Sequence, residues 1–249
     1  MDLISIIMPY YKKRDFFLIA LESILNQTFQ NFEIVIVYDD LDVIDLDYIL
    51  EKKKIDKRIK IIQNNKNIGA GFSRNKGISI SSGNYIAFLD CDDSWDPNKL
   101  EKQLNFMKDN KISFSHTSYE IINFKGDVVR YKKAKKKITF KELLLDCNIG
   151  LSTVMLKKNL IDSNCQFPNL KTKEDFVLWL KISQKTDLYG IDIPLVKWRK
   201  LSNSLSSDTF QKLVDGFKVY NKYMEFNFIK SFYLLINLSI NFIKKSLIK

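Results

Sequence analysis

Four apolar runs, each followed by a segment with helical spacing, dominate the first 110 residues of this 249-residue chain. The runs are predicted strands: Leu3–Met8, Glu33–Tyr38, Arg58–Gln63 and Asn84–Leu89. The segments that follow them are predicted helices: Asp15–Asn26, Leu46–Lys54, Ala70–Ser81 and a helix that Asp96 and Pro97 open and that continues to Lys108. The first run is apolar almost throughout, as expected of a strand buried on both faces. Alternating strands and helices predict an α/β fold with a mostly parallel central sheet flanked by helices.

The pattern changes after residue 110. Short strands are predicted at 112–116, 119–124, 127–131 and 195–199, helices at 139–146 and 173–184, and helical structure from residue 210 to the end. The strongly basic run Arg130–Lys137 predicts a mobile, solvated loop. Because no repeat or low-complexity linker divides the chain, we expect one domain over residues 1–205, with halves 1–110 and 111–205, and a C-terminal helical extension over 206–249.

The charge balance indicates an anionic partner. Lys and Arg number 40 against 29 Asp and Glu, a formal net charge of +11. Nucleic acid, an anionic membrane surface and phosphorylated substrates would each suit that excess. The sequence lacks a recognised helix-turn-helix, zinc-finger or basic-aromatic stacking motif, so we expect no nucleic-acid partner.

Cysteine usage and hydropathy bear on the compartment. Cys91, Cys147 and Cys165 are widely spaced and odd in number, which fits a reducing cytoplasm better than a disulfide framework. The chain starts without a basic segment typical of a signal peptide. The longest uncharged apolar stretch near the end, Ser231–Ile243, is too short to span a bilayer. We therefore expect a cytoplasmic protein.

Two acidic clusters follow predicted strands directly. Asp90, Asp92 and Asp93 come after the fourth strand, and Asp39 and Asp40 come after the second. In parallel sheets, ligands bind beyond the carboxyl ends of the strands. A carboxylate cluster there can bind Mg²⁺ or Mn²⁺, although for an isolated cluster a solvated turn at a helix start is the preferred explanation. An Asp after the second strand can accept a hydrogen bond from a nucleotide base, or lie in an exposed turn.

A glycine-containing segment precedes the third predicted helix on the same sheet edge. It reads Asn67 to Gly77, with Gly69 and Gly71 before Arg74. Backbone N–H groups at a helix start, together with one arginine, suit a diphosphate. The same glycines can serve only as a turn.

In order and spacing, these motifs resemble those of family-2 glycosyltransferases of the GT-A type, a Rossmann-like fold. The matching segments are SIIMPYYKK (5–13), LESILNQTFQNFEIVIVYDD (21–40), NIGAGFSRNKGI (67–78), YIAFLDCDDSW (85–95) and KEDFVLWLKI (173–182). The resemblance covers roughly residues 3–200. It implies a nucleotide-binding half before residue 110 and an acceptor-side half after it.

The resemblance implies roles on the donor side. Asp39 would contact the nucleotide base, with Asp40 as the other candidate, because Leu41 stands where the family usually has glycine. Arg74 would lie near the base or the phosphates. Asp90 and Asp92 would bind the metal, and Asp90 would also contact the nucleotide, while Asp93 would support them. Pro9 and Tyr10 would form the surface beneath the nucleotide. The metal would be Mn²⁺ or Mg²⁺.

The resemblance also implies the reaction. Asp175, next to Glu174, would be the general base that takes the proton of an acceptor hydroxyl. We expect an inverting, metal-dependent transfer of a hexosyl or N-acetylhexosaminyl group from a nucleotide-diphosphate sugar, with UDP favoured, to a glycan acceptor. A lipid-linked acceptor in bacterial surface polysaccharide or lipopolysaccharide synthesis is the expected setting. The alternative is a non-catalytic sugar-nucleotide-binding protein. Many family members have a histidine near Arg199 and Lys200; this chain has none there, so either cation is a candidate for the diphosphate.

The C-terminal extension allows two interpretations. Residues 226–249 are strongly apolar with interspersed lysines, a composition that suits a helix in the interface of an anionic membrane. The same segment could instead pack on the catalytic domain or in an oligomer. The first interpretation predicts a peripheral protein on the inner face of the cytoplasmic membrane.

Overall fold

A computed structural model of the chain describes residues 2–201 and 208–247. One ten-stranded sheet organises it, with the strand order β3-β2-β1-β4-β9-β6-β10-β5, while β7 pairs with β6 and β8 pairs with β10. The strands are β1 Ile4–Tyr10, β2 Phe32–Tyr38, β3 Ile59–Gln63, β4 Tyr85–Phe88, β5 Ser94–Trp95, β6 Phe114–Ile122, β7 Val128–Lys132, β8 Lys137–Ile138, β9 Met155–Lys157 and β10 Leu188–Arg199. The helices are α1 Arg14–Leu25, α2 Val43–Ile55, α3 Ala70–Ile80, α4 Lys99–Asp109, α5 Phe140–Leu145, α6 Glu174–Ser183, α7 Thr209–Lys218 and α8 Phe228–Leu247.

The first four strands form the parallel part that the sequence predicts. β1 lies between β2 and β4, and β2 also pairs with β3, all in parallel. Every residue of β2 is buried, which explains why the strand is apolar on both faces. The carboxyl ends of β1, β2 and β4 therefore meet at one edge, at Tyr10, Tyr38 and Leu89.

Helices cover both faces of this sheet, so the predicted α/β fold is confirmed. One core layer lies under α1, α2 and α4, with Phe17, Leu21 and Leu104 among its members. The other lies under α3, α5 and α6, with Trp179 near its centre. Each layer buries aliphatic and aromatic side chains that alternate along β1, because successive side chains point to opposite faces.

Antiparallel pairs enter with the second half. β9 is antiparallel to both β4 and β6, and β10 is antiparallel to β5 and β8 but parallel to β6. The predicted strands 112–116 and 119–124 are one continuous strand, β6, since Thr117 and Ser118 are buried although polar. Ser118 donates its hydroxyl to Asp192 and accepts the Ala134 N–H, which satisfies it inside the sheet.

The basic run is more ordered than predicted. Its first residues belong to β7 and its last to β8. Lys133 pairs with Asp192 at 2.7 Å, and Lys137 pairs with Asp187 at 2.6 Å. The prediction of a solvated loop is wrong for these strands, because acidic residues of β10 and the turn before it face the lysines.

The C-terminal extension packs on the α/β domain. After α7, a π-helical turn at Val219–Tyr223 leads to α8. Val219, Tyr220, Leu234 and Leu238 join the core layer under α5 and α6. The predicted boundary between residues 205 and 206 lies outside the described residues. Among the helices that the structure describes, none has the length and apolar character needed to cross a bilayer.

Candidate active site

Asp39 lies at the carboxyl end of β2 and organises the loop before α3. Its carboxylate accepts the backbone N–H groups of Ile68 and Gly69, both at 2.8 Å, and the Asn64 side-chain amide at 2.8 Å. Gly69 has φ +85°, a left-handed conformation that glycine adopts without strain. The buried carboxylate therefore shapes the turn from which the arginine-bearing helix begins.

Asp40 holds the adjoining loop after β1. Its two oxygens accept the N–H groups of Lys12, at 3.1 Å, and Leu41, at 2.8 Å. Both it and Asp39 are buried, with 5% and 2% of their surface exposed. Asp39 and Asp40, the two residues predicted to contact the nucleotide base, therefore also stabilise the local backbone through their hydrogen bonds.

Pro9 and Tyr10 form the end of β1 beneath this edge. The Tyr10 ring is fully buried and stacks on Tyr38, and its hydroxyl donates to Asp45 at 2.5 Å. Burial and the neighbouring Asp45 carboxylate hold the pKa of Tyr10 well above its ordinary value. Pro9 is partly exposed, and its carbonyl accepts the Cys91 thiol at 3.2 Å. Of the two predicted floor residues, only Pro9 has side-chain surface at this edge.

Arg74 joins the two halves of the site. Its guanidinium donates to Asp90 Oδ1 at 2.7 Å and to Glu174 Oε1 at 2.8 Å. Only 5% of the Arg74 side chain is exposed, and the two carboxylates raise its pKa. The sequence predicts that Arg74 lies near the base or the phosphates. The structure places it between the acidic start of α6 and the loop after β4 that contains Asp90, Asp92 and Asp93, called the D-x-D loop below.

Asp92 and Asp93 point in different directions. Asp92 is partly exposed and pairs with Lys13 at 2.8 Å. Asp93 is buried, and accepts the Ser152 hydroxyl at 2.5 Å and the Arg199 N–H at 3.0 Å. Burial, followed by the charges of Asp92 and Asp90, raises the pKa of Asp93 well above its ordinary value. These two bonds tie Asp93 to Ser152 and to the end of β10.

Arg199 fixes the same loop with its guanidinium. It donates to the backbone carbonyls of Asp92 at 3.1 Å, Asn123 at 3.1 Å and Phe124 at 2.9 Å. The sequence analysis names Arg199 as a candidate to bind the diphosphate, and in the structure its guanidinium makes these three bonds to backbone carbonyls instead. Ser152 is a second loop support, and no motif marks it; it also accepts the Asp90 N–H at 3.2 Å.

The donor set at Asp90 and Asp92 fits a hard divalent cation. Each carboxylate has one oxygen paired with a cationic side chain, and within the described residues its other oxygen has no hydrogen-bond partner. Within those same residues, His, Cys, Asp and Glu form no cluster of three or more that could hold a metal by themselves. Two carboxylates leave positions for phosphate oxygens and water, the arrangement that Mg²⁺ prefers.

Asp175 stands in the first turn of α6, beside Glu174. It accepts the Phe176 N–H at 2.7 Å. Burial, and next the charge of Glu174, raise the pKa of Asp175 to about 7. A carboxylate with a pKa near neutrality can accept a proton during a reaction at that pH.

Comparisons with known proteins show what this chain resembles. A family model described as "Glycosyl transferase family 2" matches residues 5–161. A Bacillus subtilis protein named as a teichuronic acid biosynthesis glycosyltransferase, TuaG, is 32% identical over 247 residues, 98% of each chain. The Escherichia coli protein WfgD, named as a UDP-Glc:alpha-D-GlcNAc-diphosphoundecaprenol beta-1,3-glucosyltransferase, is 37% identical over 245 residues, 98% of this chain and 94% of its own. The crystal structure of S. aureus TarS with UDP-GlcNAc has a TM-score of 0.74 at 20% identity, covering 94% of this chain and 70% of that one.

Proposed function

Since this chain belongs to glycosyltransferase family 2, we propose that it is an inverting, metal-dependent enzyme that transfers a sugar from a UDP-sugar to a glycan hydroxyl. The sugar is a hexosyl or N-acetylhexosaminyl group. The observation that carries this proposal is the Arg74 bridge, which brings the D-x-D loop and the Glu174-Asp175 pair to one guanidinium. A metal-bound donor and a base can then meet at a single reacting centre.

On the donor side, the chain binds and orients the nucleotide. Asp39 or Asp40 would accept a base N–H, and Asp90 and Asp92 would hold a Mn²⁺ or Mg²⁺ ion. When bound, that ion neutralises the charge that develops on the departing diphosphate. Lys13 lies 2.8 Å from Asp92. Asp92 has its other carboxylate oxygen for the ion, so Lys13 would stay beside the site, where its ammonium group would be available to a phosphate oxygen.

On the acceptor side, Asp175 takes the proton of the attacking hydroxyl. The oxygen then forms its bond to the anomeric carbon as the bond to the diphosphate breaks on the opposite side, so the configuration inverts. One base and one stabilised leaving group suffice for this single displacement, in contrast to the two carboxylates of glycoside hydrolases. Glu174 contributes by keeping the pKa of Asp175 raised and by holding Arg74.

We assign the acceptor to the class of lipid-linked glycans used for bacterial surface polysaccharides. The name of WfgD specifies a diphosphoundecaprenol-linked GlcNAc acceptor, and that of TuaG specifies teichuronic acid synthesis. The cytoplasmic side of the membrane is where such a protein would meet both a UDP-sugar and a lipid carrier.

The outer face of α8 supports peripheral attachment to an anionic membrane. Large apolar side chains along the helix are exposed: Phe228, Ile229, Phe232, Tyr233, Ile236, Ile240, Phe242 and Ile243. Lys230 and Lys244 are also exposed, and α8 contains no acidic residue. A symmetric contact with a second copy would bring like charges together, whereas an anionic lipid surface complements them.

Transfer to a synthetic lipid-linked GlcNAc acceptor tests the function. Purified protein, Mn²⁺ and a panel of UDP-sugars should give one glycosylated product of inverted configuration, measured by mass spectrometry and NMR. Asp175→Asn should abolish product while UDP affinity stays within about twofold. The matched variant Asp109→Asn changes an exposed carboxylate on α4 and should transfer normally. UDP-sugar binding without transfer to any acceptor offered would instead indicate a non-catalytic sugar-nucleotide-binding protein.

Vesicle co-sedimentation tests the membrane assignment. The protein should bind vesicles that contain anionic phosphatidylglycerol and not vesicles of phosphatidylcholine alone. Replacement of Phe232 and Ile236 by serine should reduce binding at least tenfold, since each buried apolar side chain contributes about 1.5–3 kcal/mol. Equal binding by the double variant would contradict the assignment.

A further inference from the structure

A buried carboxylate of the C-terminal extension holds the loop immediately before α6. Asp215, on α7, has 1% of its surface exposed. One of its oxygens accepts both the N–H and the hydroxyl of Thr172, each at 3.1 Å, and the other pairs with Lys218 at 3.3 Å. Thr172 is itself buried and lies three residues before Asp175.

The residue between this anchor and α6 has an unusual backbone. Lys173 has φ 63°, a left-handed conformation that side-chain-bearing residues seldom adopt unless the surroundings impose it. Its side chain lies along Gly216, where an added Cβ would be 3.4 Å from Lys173 Cε and 2.8 Å from Leu235 Cδ1. The extension therefore packs against the turn that sets the direction of α6.

A second contact from the same extension reaches the first turn of α6, next to Asp175. The Tyr220 ring packs edge-on against Phe176, the residue after Asp175, with centroids 6.1 Å apart. Its hydroxyl donates to the Leu144 carbonyl at 2.6 Å, at the end of α5. α5 leads into the segment that contains Cys147, so α6 and this neighbouring segment are both fixed by residues far along the chain.

We propose that Asp215 is a positioning residue for the transfer reaction: by holding Thr172, it sets the place and the burial of the Asp175 carboxylate. The inference rests on the proposed role of Asp175 as general base. It extends the catalytic machinery into the C-terminal helical extension, to which no motif of the sequence assigns a catalytic task.

The groups that face Asp175 define what this positioning controls. They are five side chains: Glu174 on α6 itself, Lys173 before it, Arg74 on α3, Cys147 after α5 and Tyr119 on β6. Burial is the largest cause of the raised pKa of Asp175. Asp175 is itself partly exposed. If Thr172 loses its anchor, the turn relaxes and more of the carboxylate becomes accessible to water, so the pKa of Asp175 falls toward its ordinary value.

The test compares Asp215→Ala with Asp215→Asn, Thr172→Val and a control. Asp215→Ala should lower kcat roughly 10- to 100-fold, with KM for the UDP-sugar within about twofold of wild type, because a misplaced base slows chemistry more than binding. The acidic limb of the kcat/KM pH profile should move below pH 7. Asp215→Asn retains an oxygen that can accept from Thr172 and should keep most of kcat; Thr172→Val, which loses the hydroxyl alone, should fall between the two.

Asp208→Ala is the matched control. Asp208 caps the same helix by accepting the Gln211 N–H at 3.0 Å and is exposed. Its loss should reduce stability without moving the pH profile. A folded Asp215→Ala variant with the kcat and the acidic limb of the pH profile of wild type would overturn the proposal. An Asp208→Ala variant with the same loss of kcat and the same shift of the pH profile as Asp215→Ala would also overturn it. If Asp215→Ala does not fold, Thr172→Val supplies both readouts.

A direct titration separates this proposal from the proposed function. The carboxyl ¹³C signal of Asp175, assigned by its absence in Asp175→Asn, should titrate near pH 7 in wild type and Asp208→Ala and lower in Asp215→Ala. This result does not depend on any transfer activity. A wild-type protein without transfer but with this shift would refute the enzyme assignment and leave the positioning intact; an unchanged titration in Asp215→Ala would refute the positioning.

Discussion

The D-x-D loop and the general-base turn are built in contrasting ways. Asp90, Asp92 and Asp93 stand within four positions of one another at the end of a predicted strand. Asp175 stands at the start of a helix whose direction is set by contacts from α7, 40 residues later. A short motif can therefore supply the proposed metal ligands, whereas the position of the proposed general base depends on the assembled fold.

Arg74 is the point at which the two regions meet, and its removal should produce the largest effect. Arg74→Ala leaves Glu174, largely buried, and Asp90, partly exposed, without their shared cation, so the free energy of unfolding should drop by up to about 3–5 kcal/mol. Arg74→Lys can serve only one carboxylate well and should recover part of that loss. Urea denaturation measures both. Arg58→Ala, which removes an ion pair with Asp56 nearer the surface, is the control and should lose under about 1–2 kcal/mol. Equal losses at the two arginines would contradict the bridge.

The environment of Asp175, in the first turn of α6, should make the stability of the protein depend on pH. Because the folded-state pKa of Asp175 is raised to about 7, the folded protein loses stability as the pH rises from the ordinary Asp pKa of about 4 to about 7, and the loss is complete above that value. Asp175→Asn removes the ionisation, so the variant should gain about 1–3 kcal/mol over wild type at pH 8.5 and little at pH 4. Denaturation curves at the two pH values check this sign. A variant equally destabilised at both would show that Asp175 is not held in a raised-pKa environment.

Ser152 tests the local construction of the metal loop, with a smaller expected effect. Ser152→Ala leaves Asp93 and the Asp90 N–H each without one partner, which should cost about 1–2 kcal/mol of stability. Mn²⁺-dependent UDP affinity should also weaken several-fold as the loop loosens. Ser183→Ala removes a buried hydroxyl that bonds only within its own helix and should change neither affinity nor loop geometry. Unchanged UDP affinity in Ser152→Ala would separate this serine from the site.

The same contrast explains what the sequence could predict. The β1–β4 strands and their helices follow from continuous apolar runs, and the acidic motifs from their place at strand ends. The sequence predicts two strands where the structure has one, β6, because the polar residues at its centre are buried. It does not predict β9, because a strand of three residues is too short to show an alternating pattern. Ser152, Arg199 and Asp215 act through contacts across 43 to 106 positions, and no local pattern announces a bond of that span.

Calorimetric titration of UDP into the protein, with Mn²⁺ and again with excess EDTA, tests the donor site most directly. Binding in Mn²⁺ that disappears in EDTA and in Asp92→Ala, but persists in Asp175→Asn, is the expected result, since Asp92 is assigned to the metal and Asp175 is not. Binding that is unchanged by EDTA and by Asp92→Ala would contradict the metal-held diphosphate on which the proposed transfer depends.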